Sequence, residues 1–180
     1  MIPQKTEQIF ELLSRGKFIC DNYPNTNHRI LYNIVDSNYD ELYDYFIHIG
    51  YKLSRGIGYF YFSKDENTNN IDSKINTILY FVDLLDFIYE YNPSFCIGTK
   101  ITPSSLVEAV NSNTLLKSKI PKRAKKDMIY QSCKRVLDDF VSKGIMAIEN
   151  EEEELYITLS SLEYIEKFIE SIKETNDERT

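Results

Sequence analysis

Histidine occurs only twice and cysteine only three times in this chain of 180 residues. His28 and His48 have no cysteine or carboxylate nearby at a spacing diagnostic of a metal site, and Cys20, Cys96 and Cys133 stand far apart with no CxxC among them. Neither a zinc site nor a disulfide framework is expected, and the thiols read as small buried residues. No Ser/His/Asp or Cys/His arrangement stands out, so an enzyme has no positive support. Long apolar runs are missing as well, since nothing approaches the roughly 20 residues of a membrane span. The opening MIPQKTEQIFELL lacks the basic start and unbroken apolar segment of a signal peptide. The expectation is a cytoplasmic protein without metal, cofactor or membrane contact.

Glycine is also sparse, at six residues, yet two fall together in KLSRGIGYFYFS, Lys52 to Ser63. A phosphate-cradling loop needs a helix N-terminus directly after it, so that backbone N–H groups and the helix dipole meet the anion. Here Tyr59 and Tyr61 alternate with Phe60 and Phe62, the period of a strand. Gly56-Ile57-Gly58 is therefore expected to be a hairpin turn. The alternation sends Phe60 and Phe62 to the core and Tyr59 and Tyr61 outward beside Arg55, and Arg55, Tyr59 and Tyr61 form a candidate partner-binding surface.

The hairpin belongs to a pattern that occurs twice. Phe46-Ile47-His48-Ile49-Gly50 and Phe140-Val141-Ser142-Lys143-Gly144 each end an apolar-periodic run with the same spacing from Phe to Gly, and extending residues follow each glycine. Each glycine suits the left-handed residue that stops a helix. Two more helical patterns lie upstream of each. In the first copy they are Ile9 to Leu13 and Ile30 to Val35, after which Ser37 offers an N-cap and Leu42, Phe46 and Ile49 share one face. In the second copy they are Ile75 to Tyr91 and a short helix capped by Thr102 with Pro103 at N1, ahead of Met128 to Val141.

Three helices and a hairpin make a winged helix. The expected fold is mainly α with small β-hairpins, as tandem winged-helix domains. Their expected limits are 1–64, a polar linker 65–71, 72–174 with a terminal amphipathic helix, and a tail 175–180. In that last helix Ser160 and Glu163 resemble a capping box, and the stripe Leu162, Ile165, Phe168, Ile169, Ile172 either covers the second domain or forms a dimer.

Charge is segregated along the chain. The net charge is −7, yet residues 117–148 carry nine basic and three acidic groups, whereas 149–180 carry three and eleven. A local basic surface can still attract phosphate, because fields act over about a Debye length, roughly 8 Å at physiological salt. Lys117, Lys119, Lys122, Arg123, Lys125, Lys126, Lys134 and Arg135 are the candidate DNA-binding residues, directed at the backbone of double-stranded DNA without sequence preference. The third helix of the first domain instead shows Asp40, Glu41 and Asp44, and the second wing turn is glutamate-rich, so both are poor DNA readers.

The runs IFELLSRGKFI (Ile9 to Ile19), LYNIV (Leu31 to Val35), YDELYDYF (Tyr39 to Phe46), IGY (Ile49 to Tyr51) and YFYFS (Tyr59 to Ser63) resemble the MukE/MksE family. These are kleisin-interacting tandem winged-helix subunits of bacterial condensin-like SMC complexes. The resemblance implies a non-enzymatic homodimer, nucleoid-associated, that binds a kleisin subunit and through it an SMC ATPase. It implies a role in chromosome condensation and segregation or, as in Wadjet-type relatives, in plasmid defence. It supplies no catalytic residue, in keeping with the lack of a GxxxxGK[ST] motif. A winged-helix transcription regulator is the competing reading.

Overall fold

The computed structural model describes residues 3–63 and 71–177, and side chains within 3–63 and 79–170. Most of the expected linker, 65–70, and the end of the expected tail, 178–180, lie outside the described residues. The first half contains α1 (Thr6–Ser14), β1 (Ile19–Cys20), α2 (Thr26–Ser37), α3 (Tyr39–His48), β2 (Lys52–Gly56) and β3 (Tyr59–Ser63). The second contains α4 (Ile71–Tyr91), β4 (Lys100–Ile101), α5 (Pro103–Ser112), α6 (Thr114–Ser118), α7 (Ile129–Ser142), β5 (Met146–Asn150), β6 (Leu155–Thr158) and α8 (Leu162–Asp177). Two antiparallel sheets form, in the orders β1-β3-β2 and β4-β6-β5, with the second hairpin strand central in each. The same three-strand plan on helices occurs twice, the tandem winged-helix architecture.

The two glycine stops are the same device. Gly50 and Gly144 have φ of +85° and +74°. Gly50 N–H donates to Ile47 O and Tyr51 N–H to Phe46 O, while Gly144 N–H donates to Val141 O and Ile145 N–H to Phe140 O. Both are Schellman closures that turn the chain out of the helix and into the wing. Thr102 caps α5 as expected, in a capping box with Ser105.

Other local expectations require correction. Ser37 is the last residue of α2, and Asn38 separates α2 from α3 with its amide donating to Ile34 O, so Ser37 caps nothing. Leu42 and Phe46 are fully buried, but Ile49 is exposed because α3 ends at His48 and the chain leaves helical register. Ser160 and Glu163 form no capping box. Ser160 Oγ donates to Asp21 Oδ1 at 2.6 Å, and Glu163 Oε2 accepts from Ile57 N–H at 3.2 Å, so both side chains serve the first winged helix instead.

Cross-strand register explains the largest correction. Ile19, Leu53, Arg55, Phe60 and Phe62 share one face of the first sheet, and Cys20, Ser54, Gly56, Tyr59 and Tyr61 share the other. The first face closes a core with Ile9, Leu13, Leu31, Val35, Leu42 and Phe46. The second does not face water. Tyr59 is only 3% exposed, and with Cys20 it packs on Ala147 and Leu159 of the second winged helix, with Phe18, Tyr23, Ile157 and Tyr164 around them. Arg55 lies on the other face of the sheet from the tyrosines: it is in register with Phe60, and its guanidinium lies over the Tyr39 ring at 4.7 Å.

The second core is built on α4, whose Leu84, Phe87 and Ile88 are fully buried against Leu106, Val136, Leu137, Phe140 and Tyr156. Leu162, Ile165 and Ile169 of α8 join that core, so the described part of this helix covers the second domain. Polar ties complete the join between the halves. Asn22 Nδ2 donates to Thr158 O and Asn22 Oδ1 accepts from Ser160 N–H, both at 3.0 Å, and Lys17 Nζ donates to Ser142 O at 2.6 Å.

Gly56 has an ordinary backbone, but a Cβ there would lie 2.1 Å from the Tyr59 ring, whereas a Cβ on Gly50 meets nothing and suffers only from positive φ. Gly56→Ala must push Tyr59 out of the interface and is expected to cost about 1–3 kcal/mol. Gly50→Ala is expected to cost about 1–2 kcal/mol through backbone strain alone. Chemical denaturation checks both, and near-ultraviolet circular dichroism is expected to change only for the Gly56 variant.

His28 stacks on Tyr23 at 4.1 Å, with its Nδ1 buried and without a hydrogen-bond partner among the described residues. Burial holds this imidazole below its ordinary value of 6.5. The unfolded chain therefore takes up the proton first as pH falls, so stability is complete above that ordinary value and declines from there down to the lowered native value. His28→Phe keeps the stack and removes the titration, and its melting temperature is expected to fall less steeply across that window.

Candidate functional site

The basic segment between α6 and α7 has a fixed shape. Ile120, Pro121 and Ala124 are buried. Ala124 N–H and Lys125 N–H both donate to Pro121 O, at 2.8 and 3.1 Å, closing a tight turn. Ser132, 3% exposed on α7, accepts from Lys126 N–H at 2.8 Å and pins the end of the turn to the helix. With the apolar residues anchored inside, Lys122, Arg123, Lys125 and Lys126 project outward, and Lys117 is exposed on α6.

Three of the eight candidate cations are paired within the protein, two of them with residues that the sequence did not place near them. Lys119 Nζ bridges Asp86 at 3.1 Å and Glu90 at 2.9 Å, both on α4. Lys134 Nζ donates to Tyr156 Oη at 2.9 Å and pairs with Glu154 at 3.3 Å, and these bonds with Asp138 raise its pKa. Arg135 Nε pairs with Asp139 Oδ1 at 2.9 Å. The two α7 pairs lie at i,i+4 and were legible from spacing; those to α4 and the wing were not. Among the described residues, Lys117, Lys122, Arg123, Lys125 and Lys126 make no ion pair. Arg123 instead lies over the Tyr80 ring, 5.1 Å from its centre.

The glutamate-rich second wing is partly neutralised in the same way. Glu149 pairs with Lys100 at 2.6 Å, and Glu154 accepts from Tyr130 as well as pairing with Lys134, which leaves Glu151, Glu152 and Glu153 exposed at the tip. Asp40, Glu41 and Asp44 of α3 are exposed, as expected.

A second feature is a groove of about 280 Å³ between the first wing and α8, lined by Arg55, Gly56, Tyr59, Tyr61, Tyr164, Lys167 and Phe168. Tyr61 meets Tyr164 edge-on at 4.8 Å. Tyr59 forms the floor, and burial, reinforced by Glu163, raises its pKa so that the phenol stays neutral. Of the three expected partner residues, Tyr61 and Arg55 remain reachable at the rim, and Tyr59 does not.

Neither feature offers catalytic chemistry. Burial pushes the Cys20 and Cys133 thiols up to about 11, which removes their nucleophilicity at neutral pH. Among the described residues no three His, Cys, Asp or Glu side chains gather as a metal site, and no helix is long and apolar enough to cross a membrane.

Fold and surfaces together define a tandem winged-helix protein that presents a pinned basic loop and an aromatic groove. The profile of the condensin complex protein MksE family matches residues 4–169, most of the chain, and the chain belongs to that family. It is thus a condensin complex subunit, a non-catalytic accessory protein. No curated protein matches the chain at a significant level.

Lys134 holds the second wing to α7 through Tyr156, which is fully buried. Lys134→Ala leaves Tyr156 Oη its bond to Asp138 at 2.7 Å but removes the charge-assisted bond to Tyr156 and the pair with Glu154, and is expected to lower stability by about 1–2 kcal/mol in urea denaturation.

Proposed function

We propose that this condensin subunit is a homodimeric scaffold that binds a kleisin, reaches the SMC ATPase through it, and touches the backbone of double-stranded DNA with its α6–α7 loop. The supporting observation is the loop itself: four cations against the single carboxylate of Asp127, held outward by buried Ile120, Pro121 and Ala124. A surface of this kind neutralises phosphates without reading bases. Lys117, Lys122, Arg123, Lys125 and Lys126, together with the exposed Arg135 of α7, carry the contact, Lys119 and Lys134 act within the fold, and residues 1–64 and 72–174 are the two domains. Arg55 and Tyr61, with Tyr164 and Phe168 across the groove, are the surface offered to the kleisin. The protein works in the cytoplasm at the nucleoid, in chromosome organisation or plasmid defence.

Exposed Asp40, Glu41 and Asp44 on α3, and the exposed glutamates of the second wing, oppose an operator-reading repressor. Copurification with the kleisin and SMC proteins encoded beside this chain is the expected result of co-expression, and its failure at low salt would overturn the scaffold reading. Charge reversal at Lys122, Arg123, Lys125 and Lys126 is expected to weaken duplex binding and flatten its dependence on salt, leaving the oligomeric state unchanged. Fluorescence anisotropy and sedimentation read the two outcomes.

A further inference from the structure

One arginine pairs with a buried carboxylate, and a second stacks on the tyrosine that donates to it. Arg135 Nε forms an ion pair with Asp139 Oδ1 at 2.9 Å, and Tyr80 Oη donates to Asp139 Oδ2. The ring of the same tyrosine carries the Arg123 guanidinium, 5.1 Å from its centre. Asp139 is only 9% exposed, so its charge is spent on this hydrogen bond and this ion pair. The Arg135 side chain is 53% exposed, and its pairing through Nε leaves its terminal N–H groups available. Stacking likewise uses the face of Arg123 and leaves its edge donors free.

We infer that Arg123 and Arg135 form a paired phosphate contact for duplex DNA, and that Tyr80 and Asp139 are the positioning residues that hold the pair in shape. The inference rests on the DNA-backbone reading above and identifies where that contact is organised. Lysine side chains meet phosphate as mobile point charges, whereas a guanidinium already held in plane presents its fork with less lost on binding. Acidic protein segments also bind arginine pairs. The duplex is favoured because Lys122, Lys125 and Lys126 extend the positive surface from Arg123 with only Asp127 opposing it, which suits a ligand carrying a row of evenly spaced charges.

Asp139 gives the decisive test, because positioning and bulk charge predict opposite signs. Removing a negative charge beside DNA should tighten binding if charge alone matters. If Asp139 positions Arg135, Asp139→Asn should weaken binding severalfold. The full chain would be titrated onto a mixed-sequence duplex across a salt series, with thermal melts confirming that each variant is folded. Arg123→Ala and Arg135→Ala are each expected to lose affinity severalfold and to reduce the salt slope by about one. Tyr80→Phe keeps the ring under Arg123 and releases Asp139, and is expected to lose affinity with an unchanged slope. Arg135→Lys, at an exposed position, keeps the charge and loses the Nε contact, so it stays informative if Asp139→Asn fails to fold; it is expected to bind nearly as weakly as Arg135→Ala.

Tighter or unchanged binding by folded Asp139→Asn, or wild-type binding by Arg135→Lys, overturns the positioning role. Wild-type affinity in both arginine-to-alanine variants, with binding still lost on reversing the loop charges, overturns the pair and leaves the DNA reading standing. A wild-type chain that binds no duplex, or that binds an oligoglutamate of equal charge as tightly, overturns both.

Discussion

The structure depends on two small sheets packing through the faces a lone winged helix would show to water. Cys20 and Tyr59 on one side meet Ala147 and Leu159 on the other, each at most 3% exposed. An aromatic side chain buried this way contributes about 3 kcal/mol or more. The polar rim adds direction to that area: Asp21 and Asn22, just past β1, receive Ser160, and Asn22 also donates to Thr158 O. Apolar contact alone would tolerate sliding; a side-chain amide that bonds Thr158 O and Ser160 N–H at 3.0 Å each tolerates very little. The first wing is consequently a wall of the molecule and not a free probe for a DNA groove.

The same logic of anchoring decides which cations remain available. On the regular surface of α7, a cation has a neighbour four residues on, and Lys134 and Arg135 find Asp138 and Asp139 there. Lys119 leaves α6 toward α4 and meets Asp86 and Glu90. In the turn that follows, the chain spends Ile120, Pro121 and Ala124 on the core and has no helical face left to supply carboxylates. Charge accumulates where backbone regularity ends. The described ion pairs do not use this charge, since each of these lysines could be lost without breaking one.

Much of this was visible in the sequence. The glycine stops were legible because a left-handed residue after an apolar run has few alternatives, and the Phe-to-Gly spacing fixed the Schellman geometry twice over. The first hairpin followed from period-two aromatics, and the second from the recurrence of the same helix, glycine and extended run. Strands of two residues, β1 and β4, have no period to detect and exist only through pairing with β3 and β6. The face of Tyr59 was misassigned for a related reason. Alternation separates two faces of a strand but cannot say that the second will be covered by another domain. The register sets Arg55 opposite Phe60, on the other face from the tyrosines, although it still reaches the groove that they line. The partners of Lys119 and the Tyr80–Asp139 bond join residues 29 or more positions apart, which no local pattern encodes.

The two glycines of the first wing show how a turn can resemble an anion loop and serve the fold. Ile57 N–H, between them, does bind a carboxylate, but it is Glu163 of the protein's own α8, whose pKa is lowered mainly by Lys167 and further by this amide. Gly58, at φ +79°, leaves the space in which the Asp21 carboxylate sits; a Cβ there would lie 2.8 Å from it. Gly56 leaves the space for the Tyr59 ring. Each glycine is thus required by a side chain at the junction of the two halves, and the amide between them is already occupied. A nucleotide would have to displace Glu163 from Lys167 and Ile57 and loosen the wing from α8, so the turn's affinity for anions has been turned inward to lock the domains together.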